Sequence, residues 1–234
     1  MEAIILAGGL GTRLRAVVPD LPKPMAPVHG RPFLEHQMDY WIAQGVTRFI
    51  LSVGYKRELI EAHFGDHYRH CPVTYAREEE ALGTGGGLLL GLARARDDTV
   101  LVVNGDTFFE AELVTMRERH AAAQAQVTVA LRRVPHNDRY GEVALDAHGA
   151  ITGFHAKPSG GEGIINGGVY VMQREALLGL GWKSGDKVAL EQEIFPALLK
   201  RKMKMLGVTF AGAFVDIGVP EDYRRAAAML PKPV

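Results

Sequence analysis

The chain begins with an apolar run that leads straight into a glycine-rich turn, and this junction constrains the fold more than any other feature. Residues 3–6 read Ala-Ile-Ile-Leu, which is typical of a buried strand, and residues 7–14 read Ala-Gly-Gly-Leu-Gly-Thr-Arg-Leu. Backbone without side chains lets N–H groups approach an anion closely, and Arg13 adds a positive charge. Lys23 stands between two prolines on a stiffened loop. The first 25 residues therefore predict a binding site for a polyphosphate.

Two widespread phosphate-binding motifs do not fit this turn. A P-loop requires Gly-Lys followed by Ser or Thr, whereas Gly11 is followed by Thr12 and Arg13. The dinucleotide fingerprint requires glycine at its first, third and sixth positions; Gly9 and Gly11 fit, but Leu14 occupies the sixth. A glycine-rich turn alone is also compatible with an ordinary strand-to-helix connection. The two added cations favour the phosphate site.

Strand-like and helix-like segments alternate through the first half of the chain. The predicted strands cover residues 3–6, 49–53, 73–76 and 99–103, and the predicted helices cover 33–43, 56–64 and 85–95. Alternation of this kind predicts βαβ units. We therefore expect an α/β, three-layer, Rossmann-like fold with a mostly parallel mixed sheet and helices on both faces. Ligands of such folds bind at the carboxyl ends of the strands.

The second half is richer in β-structure. Predicted strands cover residues 126–131, 141–145, 150–155 and 164–172, and closing helices cover 190–202 and 221–230. We find no flexible linker, so the sequence predicts a single domain over residues 1–234. The apolar residues of the closing helices fit either a core or an interface between subunits. The sequence therefore leaves open whether the protein is a homodimer.

The overall composition excludes several classes of protein. The 234 residues contain 27 Lys+Arg and 27 Asp+Glu, and this balance argues against nucleic-acid or membrane partners. An anionic ligand must therefore be met by local cations. The single cysteine, Cys71, excludes an internal disulfide and provides no zinc-binding spacing. No apolar run reaches ~18 residues and no signal peptide precedes the first strand, so we expect a cytoplasmic protein.

Two aspartates follow predicted strands at separate places in the chain. Asp106 ends the segment Val-Val-Asn-Gly-Asp at residues 102–106, and Asp216 lies in Phe-Val-Asp-Ile-Gly-Val-Pro at residues 214–220. An aspartate at a strand end often only caps the next turn. However, Mg²⁺ prefers hard oxygen ligands and usually takes one or two carboxylates together with phosphate oxygens and water. Two separate aspartates fit that need.

The glycine-rich turn followed by Pro-Lys-Pro resembles the signature of the sugar-1-phosphate nucleotidylyltransferases. These enzymes join a nucleoside triphosphate to a sugar 1-phosphate and release pyrophosphate. The resemblance covers nearly the whole chain and implies a fold of the nucleotide-diphospho-sugar transferase type, with a nucleotide half at about 1–125 and a sugar half at about 126–234. It implies a nucleotide site formed by Leu6, Ala7, Gly8, Gly9, Gly11, Thr12, Arg13, Glu78, Gly83, Thr84, Asn104 and Gly105.

The same resemblance implies roles for the charged residues. Arg13, Lys23 and Asp106 would be catalytic, with Arg13 at the β- and γ-phosphates and Lys23 near the α-phosphate. Asp106 and Asp216 match the two family aspartates that hold Mg²⁺. No covalent intermediate is required, and catalysis would consist of positioning and charge neutralisation.

The resemblance also implies that Glu78 reads the nucleobase, because in the family this role belongs to the residue five positions before the first glycine of Leu-Gly-Thr-Gly. An ionised carboxylate only accepts hydrogen bonds, and guanine offers two adjacent donors. Uracil and thymine present an alternating edge that suits Gln better. The pattern Glu-Glu-Glu-x-Leu-Gly-Thr also resembles guanylyltransferases, so we expect GTP to be the substrate. Taken alone, the glutamates of this turn would be read as a solvated acidic surface.

The sugar site departs from the family at one position. Lys157 matches the lysine that contacts the sugar phosphate, but Ala156 replaces the glutamate that precedes it in the family, which puts glucose-type recognition in doubt. Matching segments also place Gly141, Asn166 and Gly167 at the sugar. We add Glu191, although a glutamate near a helix start can simply complement the helix dipole.

Within the family, residues 17–28, 30–35 and 51–55 resemble the guanylyltransferases of D-glycero-α-D-manno-heptose 1-phosphate most. The expected reaction transfers GMP from GTP to that sugar 1-phosphate. Alternatives of the same class are a mannose-1-phosphate guanylyltransferase and a uridylyl- or cytidylyltransferase acting on another hexose 1-phosphate. An alternative of a different class is an inactive sugar-nucleotide-binding regulator.

Overall fold

A computed structural model describes residues 1–137, 139–155 and 160–230 of the chain. The strands are β1 (Glu2–Ala7), β2 (Pro27–Val28), β3 (Arg31–Pro32), β4 (Arg48–Val53), β5 (His67–Tyr68), β6 (Cys71–Arg77), β7 (Thr99–Asn104), β8 (Thr107–Phe109), β9 (Val127–Val134), β10 (Glu142–Leu145), β11 (Ile151–His155), β12 (Gly163–Gln173), β13 (Met205–Phe210) and β14 (Phe214–Asp216). The α-helices are α1 (Phe33–Ala43), α2 (Arg57–Phe64), α3 (Gly83–Leu92), α4 (Leu113–Ala123), α5 (Arg174–Leu178), α6 (Phe195–Lys200) and α7 (Pro220–Met229).

A ten-stranded mixed sheet forms the centre of the molecule, and its parallel part runs in the order β7–β1–β4–β6. Strands β4 and β6, which follow β1 along the chain, lie on one side of it, and the next strand of this sheet, β7, lies on the other side. The strand order therefore reverses between β1 and β7, and a crevice forms at such a switch point, outside the carboxyl ends of the strands.

The predicted α/β class is confirmed, and the three layers follow from burial on both faces of the sheet. Side chains of β1 alternate between two cores: Ile5 belongs to a cluster with α1, α2 and α4, whereas Ile4 belongs to a cluster with α3, α5 and α6. Both isoleucines are completely buried. A strand that is covered on both faces needs a continuous apolar run, and this is the pattern seen at residues 3–6.

The second half extends the same sheet through the long strand β12. Residues 169–173 of β12 pair antiparallel with β7, and its other neighbours are β9 and β10. The register with β9 shifts between Asn166 and Tyr170, so β12 carries a bulge at this point. Strand β13 pairs parallel with β9.

Helix α3 is rich in glycine because it packs very closely on the sheet and on residues 186–188. A Cβ at Gly91 would lie 2.6 Å from Ile4 Cγ2, and a Cβ at Gly86 would lie 2.5 Å from the Asp186 carbonyl oxygen. Glycine in a helix costs about 1 kcal/mol relative to alanine, and here the close approach requires it. The result is a helix whose first turn, Gly83–Gly85, stands beside the carboxyl ends of the strands.

A third apolar cluster joins the start of the chain to its closing helix. Leu14, Val28 and Phe33 pack with Ile217 and with Ala226 of α7. The two-stranded pairing of β14 with β8 places Asp216 opposite Thr107. Together these contacts place the Asp216 segment beside the turn that contains Lys23.

The predicted strands all appear, as β1, β4, β6, β7 and β9–β12, and α1 has the predicted bounds. The segment predicted as a helix over 190–202 divides into a π-helical turn, Leu190–Ile194, and the short helix α6. Helix α4 was not predicted. Among the described residues, no helix is long and apolar enough to cross a membrane.

Candidate active site

A cavity of about 670 Å³ opens at the carboxyl ends of β1 and β7. The Gly105 N–H donates to the Leu6 carbonyl at 2.9 Å and holds the two strand ends together. Among the described residues, the lining comprises Leu6, Ala7, Gly8, Gly9, Leu10, Gly11, Thr12, Arg13, Lys23, Pro24, Glu78, Ala81, Gly83, Thr84, Gly87, Asn104, Gly105, Asp106, Thr107, Tyr140, Asn166, Gly168, Glu191, Gln192, Phe214, Asp216 and Gly218. Every residue predicted to bind nucleotide or metal, or to act in catalysis, lies in this lining.

The backbone of the glycine-rich turn leaves room for the Lys23 side chain to pass over it. Gly11 has φ +63°, a conformation that side chains disfavour, and a Cβ there would lie 2.8 Å from Lys23 Cγ. After this turn, a short 3₁₀ helix begins at Leu14. Arg13 precedes that helix, is exposed and lines the cavity. Its guanidinium has no hydrogen-bond or ion-pair partner in the described part of the chain.

Lys23 and the two aspartates form one charged group. Lys23 Nζ lies 2.9 Å from Asp106 Oδ2, with side chains that are 15% and 34% exposed. The Asp216 carboxylate accepts the Gly218 N–H at 2.7 Å and lies 3.5 Å from an Arg139 nitrogen. Burial, and then the charge of Asp106, raise the pKa of Asp216, partly offset by the Gly218 N–H and the charges of Lys23 and Arg139.

This arrangement suits a divalent cation that takes its other ligands from phosphate and water. Within the described ranges there is no group of three or more Asp, Glu, His or Cys side chains that could hold a metal. Mg²⁺ typically needs only one or two protein carboxylates. Asp106 and Asp216 provide hard oxygen donors of this kind, and the positive charges of Lys23 and Arg139 lie beside them.

Glu78 lies between two glycines at the wall of the cavity. Its side chain is nearly buried, with the residue 9% exposed, and it accepts hydrogen bonds from the Leu82 N–H at 3.1 Å and the Ser52 hydroxyl at 3.5 Å. A Cβ at Gly8 would overlap Glu78 Oε1, and one at Gly87 would lie 2.9 Å from it. Burial raises the pKa of the Glu78 carboxyl, partly offset by the hydrogen bonds from Leu82 and Ser52.

Asn166 and Glu191 form a polar wall on the side of the cavity that the second half of the chain contributes. Asn166 Nδ2 donates to Glu191 Oε1 at 2.7 Å and to the Tyr170 hydroxyl at 2.8 Å, and its Oδ1 accepts the Gly168 N–H at 3.0 Å. Both amide hydrogens are therefore used inside the protein. Glu191 lies in the π-helical turn, which is anchored by the Leu190 N–H donating to Thr84 Oγ1 at 3.0 Å. Burial raises the pKa of Glu191.

Three residues that were predicted at the sugar are not in this lining. Gly167 faces the Phe109 ring on the opposite side of β12. Gly141 is exposed and directly follows the lining residue Tyr140. Lys157 falls outside the described residues.

Other lining residues were not singled out from the sequence. Phe214 is one, and its alternation with Asp216 on β14 is a signal that could have found it, because residues two apart on a strand share a face. Gln192 and Thr107 gave no comparable signal. Arg139 contacts Asp216 from outside the lining and lies in a segment without periodicity.

Among the described residues, the lining carries more carboxylates than cations. Four carboxylates, those of Glu78, Asp106, Glu191 and Asp216, face two cations, Arg13 and Lys23.

The parallel sheet, with its glycine-rich turn at a topological switch point, places the molecule in the class of nucleotide-binding α/β proteins. The chain belongs to the nucleotidyl transferase family, whose family model matches residues 2–232.

Individual relatives cover nearly the whole chain. It is 42% identical over 231 residues to the D-glycero-alpha-D-manno-heptose 1-phosphate guanylyltransferase of Aneurinibacillus thermoaerophilus, covering 97% of this chain and 96% of that protein. It is 37% identical to the mannose-1-phosphate guanylyltransferase of Mycobacterium tuberculosis, covering 98% of this chain and 64% of that protein. The crystal structure of HddC from Yersinia pseudotuberculosis complexed with GMP-PN superposes with a TM-score of 0.84 at 32% identity, covering 97% of this chain and 98% of that one.

Proposed function

We propose that this protein transfers GMP from GTP to D-glycero-α-D-manno-heptose 1-phosphate, giving GDP-heptose and pyrophosphate. The observation that carries the proposal is the convergence of Arg13, Lys23, Asp106 and Asp216 on one cavity at the switch point of the sheet. The heptose comes from the near full-length similarity to the Aneurinibacillus enzyme. GTP and the other nucleotides are cytoplasmic metabolites, and we place the reaction in that compartment.

The chemistry is an in-line displacement at the α-phosphorus of GTP. A phosphate oxygen of the sugar 1-phosphate forms the new bond to the α-phosphorus, and the bond to the bridging oxygen breaks so that pyrophosphate leaves. Negative charge concentrates on the phosphate oxygens, so positioning and charge neutralisation are the main tasks of the protein.

The two cations divide this task. Arg13 has no partner among the described residues and projects from the turn, where it would clamp the β- and γ-phosphates. Lys23 would exchange its contact with Asp106 for the α-phosphate. Asp106 and Asp216 would hold the divalent cation, proposed to be Mg²⁺, which supplies further neutralisation of phosphate charge when bound.

Glu78 would select guanine. A carboxylate can accept hydrogen bonds from both N1–H and the exocyclic amine of the base. Support comes from its fixed position, since Ser52 and the Leu82 N–H orient it while Gly8 and Gly87 leave its surroundings free of side chains.

Glu191 would accept a hydrogen bond from a sugar hydroxyl, with Asn166 as the residue that orients it. The amide hydrogens of Asn166 are already engaged, whereas the Glu191 carboxylate retains acceptor capacity toward the cavity. This would provide a carboxylate for the sugar, whereas the sequence has alanine, Ala156, at the position of the family glutamate. The homodimer remains a prediction.

The proposal is tested by measuring pyrophosphate release with GTP, UTP, CTP and dTTP, each combined with heptose, mannose and glucose 1-phosphates. We expect the largest kcat/KM for GTP with the heptose. Asp106→Asn serves as the control for background release. Failure of every pair to release pyrophosphate, with retained binding of GDP-sugar, would instead identify a regulator.

A mannose-1-phosphate guanylyltransferase is the second candidate, favoured by the similarity to the Mycobacterium enzyme. In the same panel it would give a higher kcat/KM for mannose 1-phosphate than for the heptose. Preference for UTP or CTP would contradict the role given to Glu78.

A further inference from the structure

The turn that carries Asp106 (residues 104–107) is tied by its backbone to other parts of the molecule. The Gly105 N–H donates to the Leu6 carbonyl of β1, and the Asp106 carbonyl accepts the Ile217 N–H at 2.9 Å. These bonds fix the middle of the turn between β1 and the segment that follows β14. The carbonyl groups at the two ends of the turn are bound from a different element, helix α1.

Gln37 of α1 binds both ends of the turn through one amide nitrogen. Its Nε2 donates to the Asn104 carbonyl at 2.9 Å and also to the Thr107 carbonyl. A primary amide has two N–H donors, so these two bonds use both of them. Because both partners are carbonyls, which only accept, the nitrogen of the amide must be the atom that faces the turn. The side chain therefore clamps residues 104 and 107, with Asp106 between them.

Gln37 is a buried polar residue beside apolar ones. It is 1% exposed, and its neighbours on α1, which are Leu34, Met38 and Trp41, belong to the apolar cluster on this face of the sheet. A buried amide lowers stability unless it is hydrogen-bonded, and an apolar side chain of similar length would fill the same space. Packing alone therefore does not account for a glutamine here, whereas the two bonds to the turn do.

The position of the Asp106 carboxylate depends on the backbone that Gln37 holds. Asp106 Oδ2 lies 2.9 Å from Lys23 Nζ. Thr107 pairs with Asp216 across β8 and β14, so a shift of the turn would change the positions of both aspartates relative to Lys23. A displacement of about 1 Å in a catalytic group can cost roughly 10²-fold in rate.

Resting on the proposed function, we propose that Gln37 is a positioning residue for the transfer reaction. Its two hydrogen bonds hold the backbone on both sides of Asp106 and so fix the carboxylate beside Lys23. Gln37 itself is outside the described lining of the cavity, and it acts through Asp106 and not on the substrates. The geometry of the charged groups thus depends on a side chain from a helix in the core.

The test compares Gln37→Met with Gln44→Met. Methionine is unbranched and adaptable in shape, so it fills the space of the glutamine while removing both donors. Gln44 is the matched control, because it also joins α1 to distant backbone: its Nε2 donates to the Ala111 carbonyl at 3.3 Å and its Oε1 accepts the Leu113 N–H at 2.7 Å. Neither Ala111 nor Leu113 lines the cavity.

We expect Gln37→Met to lower kcat by roughly 10- to 100-fold, while the KM for the sugar 1-phosphate stays within about twofold of wild type. The reason is that the reacting groups lose their geometry, whereas the sugar wall is built from other elements. Gln44→Met should keep the wild-type kcat even though its thermal midpoint falls. Gln37→Asn, whose shorter stem cannot reach both carbonyls, is a milder variant that should show the same split.

Calorimetry of a non-hydrolysable GTP analogue, with and without Mn²⁺, provides a readout that does not need turnover. Mn²⁺ takes the same oxygen ligands as Mg²⁺. The gain in affinity for the analogue on adding Mn²⁺ should be smaller in Gln37→Met than in Gln44→Met by about tenfold, the scale of one misplaced charged partner. The metal-free affinity should be equal in the two variants.

Wild-type kcat in Gln37→Met and Gln37→Asn, with an undiminished Mn²⁺-dependent gain, would overturn the inference. Equal losses of kcat in Gln37→Met and Gln44→Met would do so too, because they would follow from lost stability. If Gln37→Met does not fold, Gln37→Asn decides the question on the same measurements. A wild type that is inactive with every substrate pair would defeat the proposed reaction, while the Mn²⁺-dependent binding would still decide the role of Gln37.

Discussion

Lys23 reaches the cavity only because Gly11 has no side chain. The lysine stem passes over the turn where a Cβ would stand, and its ammonium group then meets Asp106. This pairing gives both groups a partner before substrates arrive. It also pre-positions the cation close to where charge develops, so little reorganisation accompanies the reaction.

Lys23→Ala and Asp106→Asn should each lower turnover by ~10²-fold or more, the usual effect of removing one preorganised electrostatic group. Steady-state pyrophosphate release measures this. Lys200→Ala, which changes an exposed lysine of α6 outside the cavity lining, should behave as wild type. Turnover close to wild type in either site variant would contradict the proposed roles.

Glu78→Gln should weaken selection of guanine. The glutamine amide would place a donor against the donors of the base, so kcat/KM for GTP should fall by about 10- to 100-fold, and UTP should lose less. Competition between the two nucleotides provides the measurement. The control is Glu79→Gln, because Glu79 is 79% exposed and pairs with Arg57. Equal losses for GTP and UTP would mean that Glu78 only supports the fold of the pocket.

At the scale of elements, the bulge in β12 shapes the sugar wall. Gly168 has φ +72°, and a Cβ there would lie 2.9 Å from Asn104 Nδ2. The bulge interrupts the register with β9 after Asn166, and Asn166 uses both amide hydrogens to hold Glu191 and Tyr170. The backbone conformation at one glycine is therefore coupled to the polar groups of two strands and a π-helical turn.

Gly168→Ala should destabilise the protein and lower activity, because it combines a strained φ with a steric contact. Gly30→Ala provides a matched control, since Gly30 has φ +76° with nothing within 4 Å of the added Cβ. We expect the strained φ to lower the free energy of unfolding by about 1–2 kcal/mol in both variants. The total loss of stability should be larger for Gly168→Ala. Urea denaturation and kcat measure the two effects. Identical losses of stability would show that the Asn104 contact relaxes without cost.

At the scale of the whole molecule, the site imposes a cost on folding. Burial raises the pKa of Glu78, Glu191 and Asp216, so the folded chain binds these protons more tightly than the unfolded chain. Their ionisation therefore opposes folding. The cost is absent below the unfolded pKa values and grows as pH rises through the folded ones.

Glu78→Gln should consequently be at least as stable as wild type at about pH 8, and this advantage should shrink as pH falls toward the unfolded glutamate pKa. Glu2→Gln should be less stable than wild type at about pH 8, and this loss should shrink as pH falls through the lowered pKa of Glu2. Burial alone would raise the pKa of Glu2, but hydrogen bonds from the Asp97 and Arg96 N–H groups and from Arg48 outweigh it and lower the pKa. Thermal midpoints across pH measure both. A less stable Glu78→Gln at high pH would assign the carboxylate a structural role.

The sequence determined the features that depend on neighbours along the chain. The buried run at 3–6, the alternation of strands and helices, and the glycine-rich turn were readable because side-chain periodicity and backbone freedom are local properties. Asp106 was also identifiable, since it follows β7 at the carboxyl end of the parallel strands, where ligands of such sheets bind. Helix α4 escaped prediction because its sequence lacks a clear apolar stripe.

Only the tertiary structure decided which groups face one another. The pairing of β14 with β8 joins residues about a hundred positions apart and brings Asp216 to Asp106 and Lys23. The saturation of the Asn166 amide and the placement of Arg139 between Asp222 and Asp216 are likewise products of long-range contacts. Hydrogen-bond partners and local charge depend on distances between elements, and no local pattern in the sequence encodes those distances.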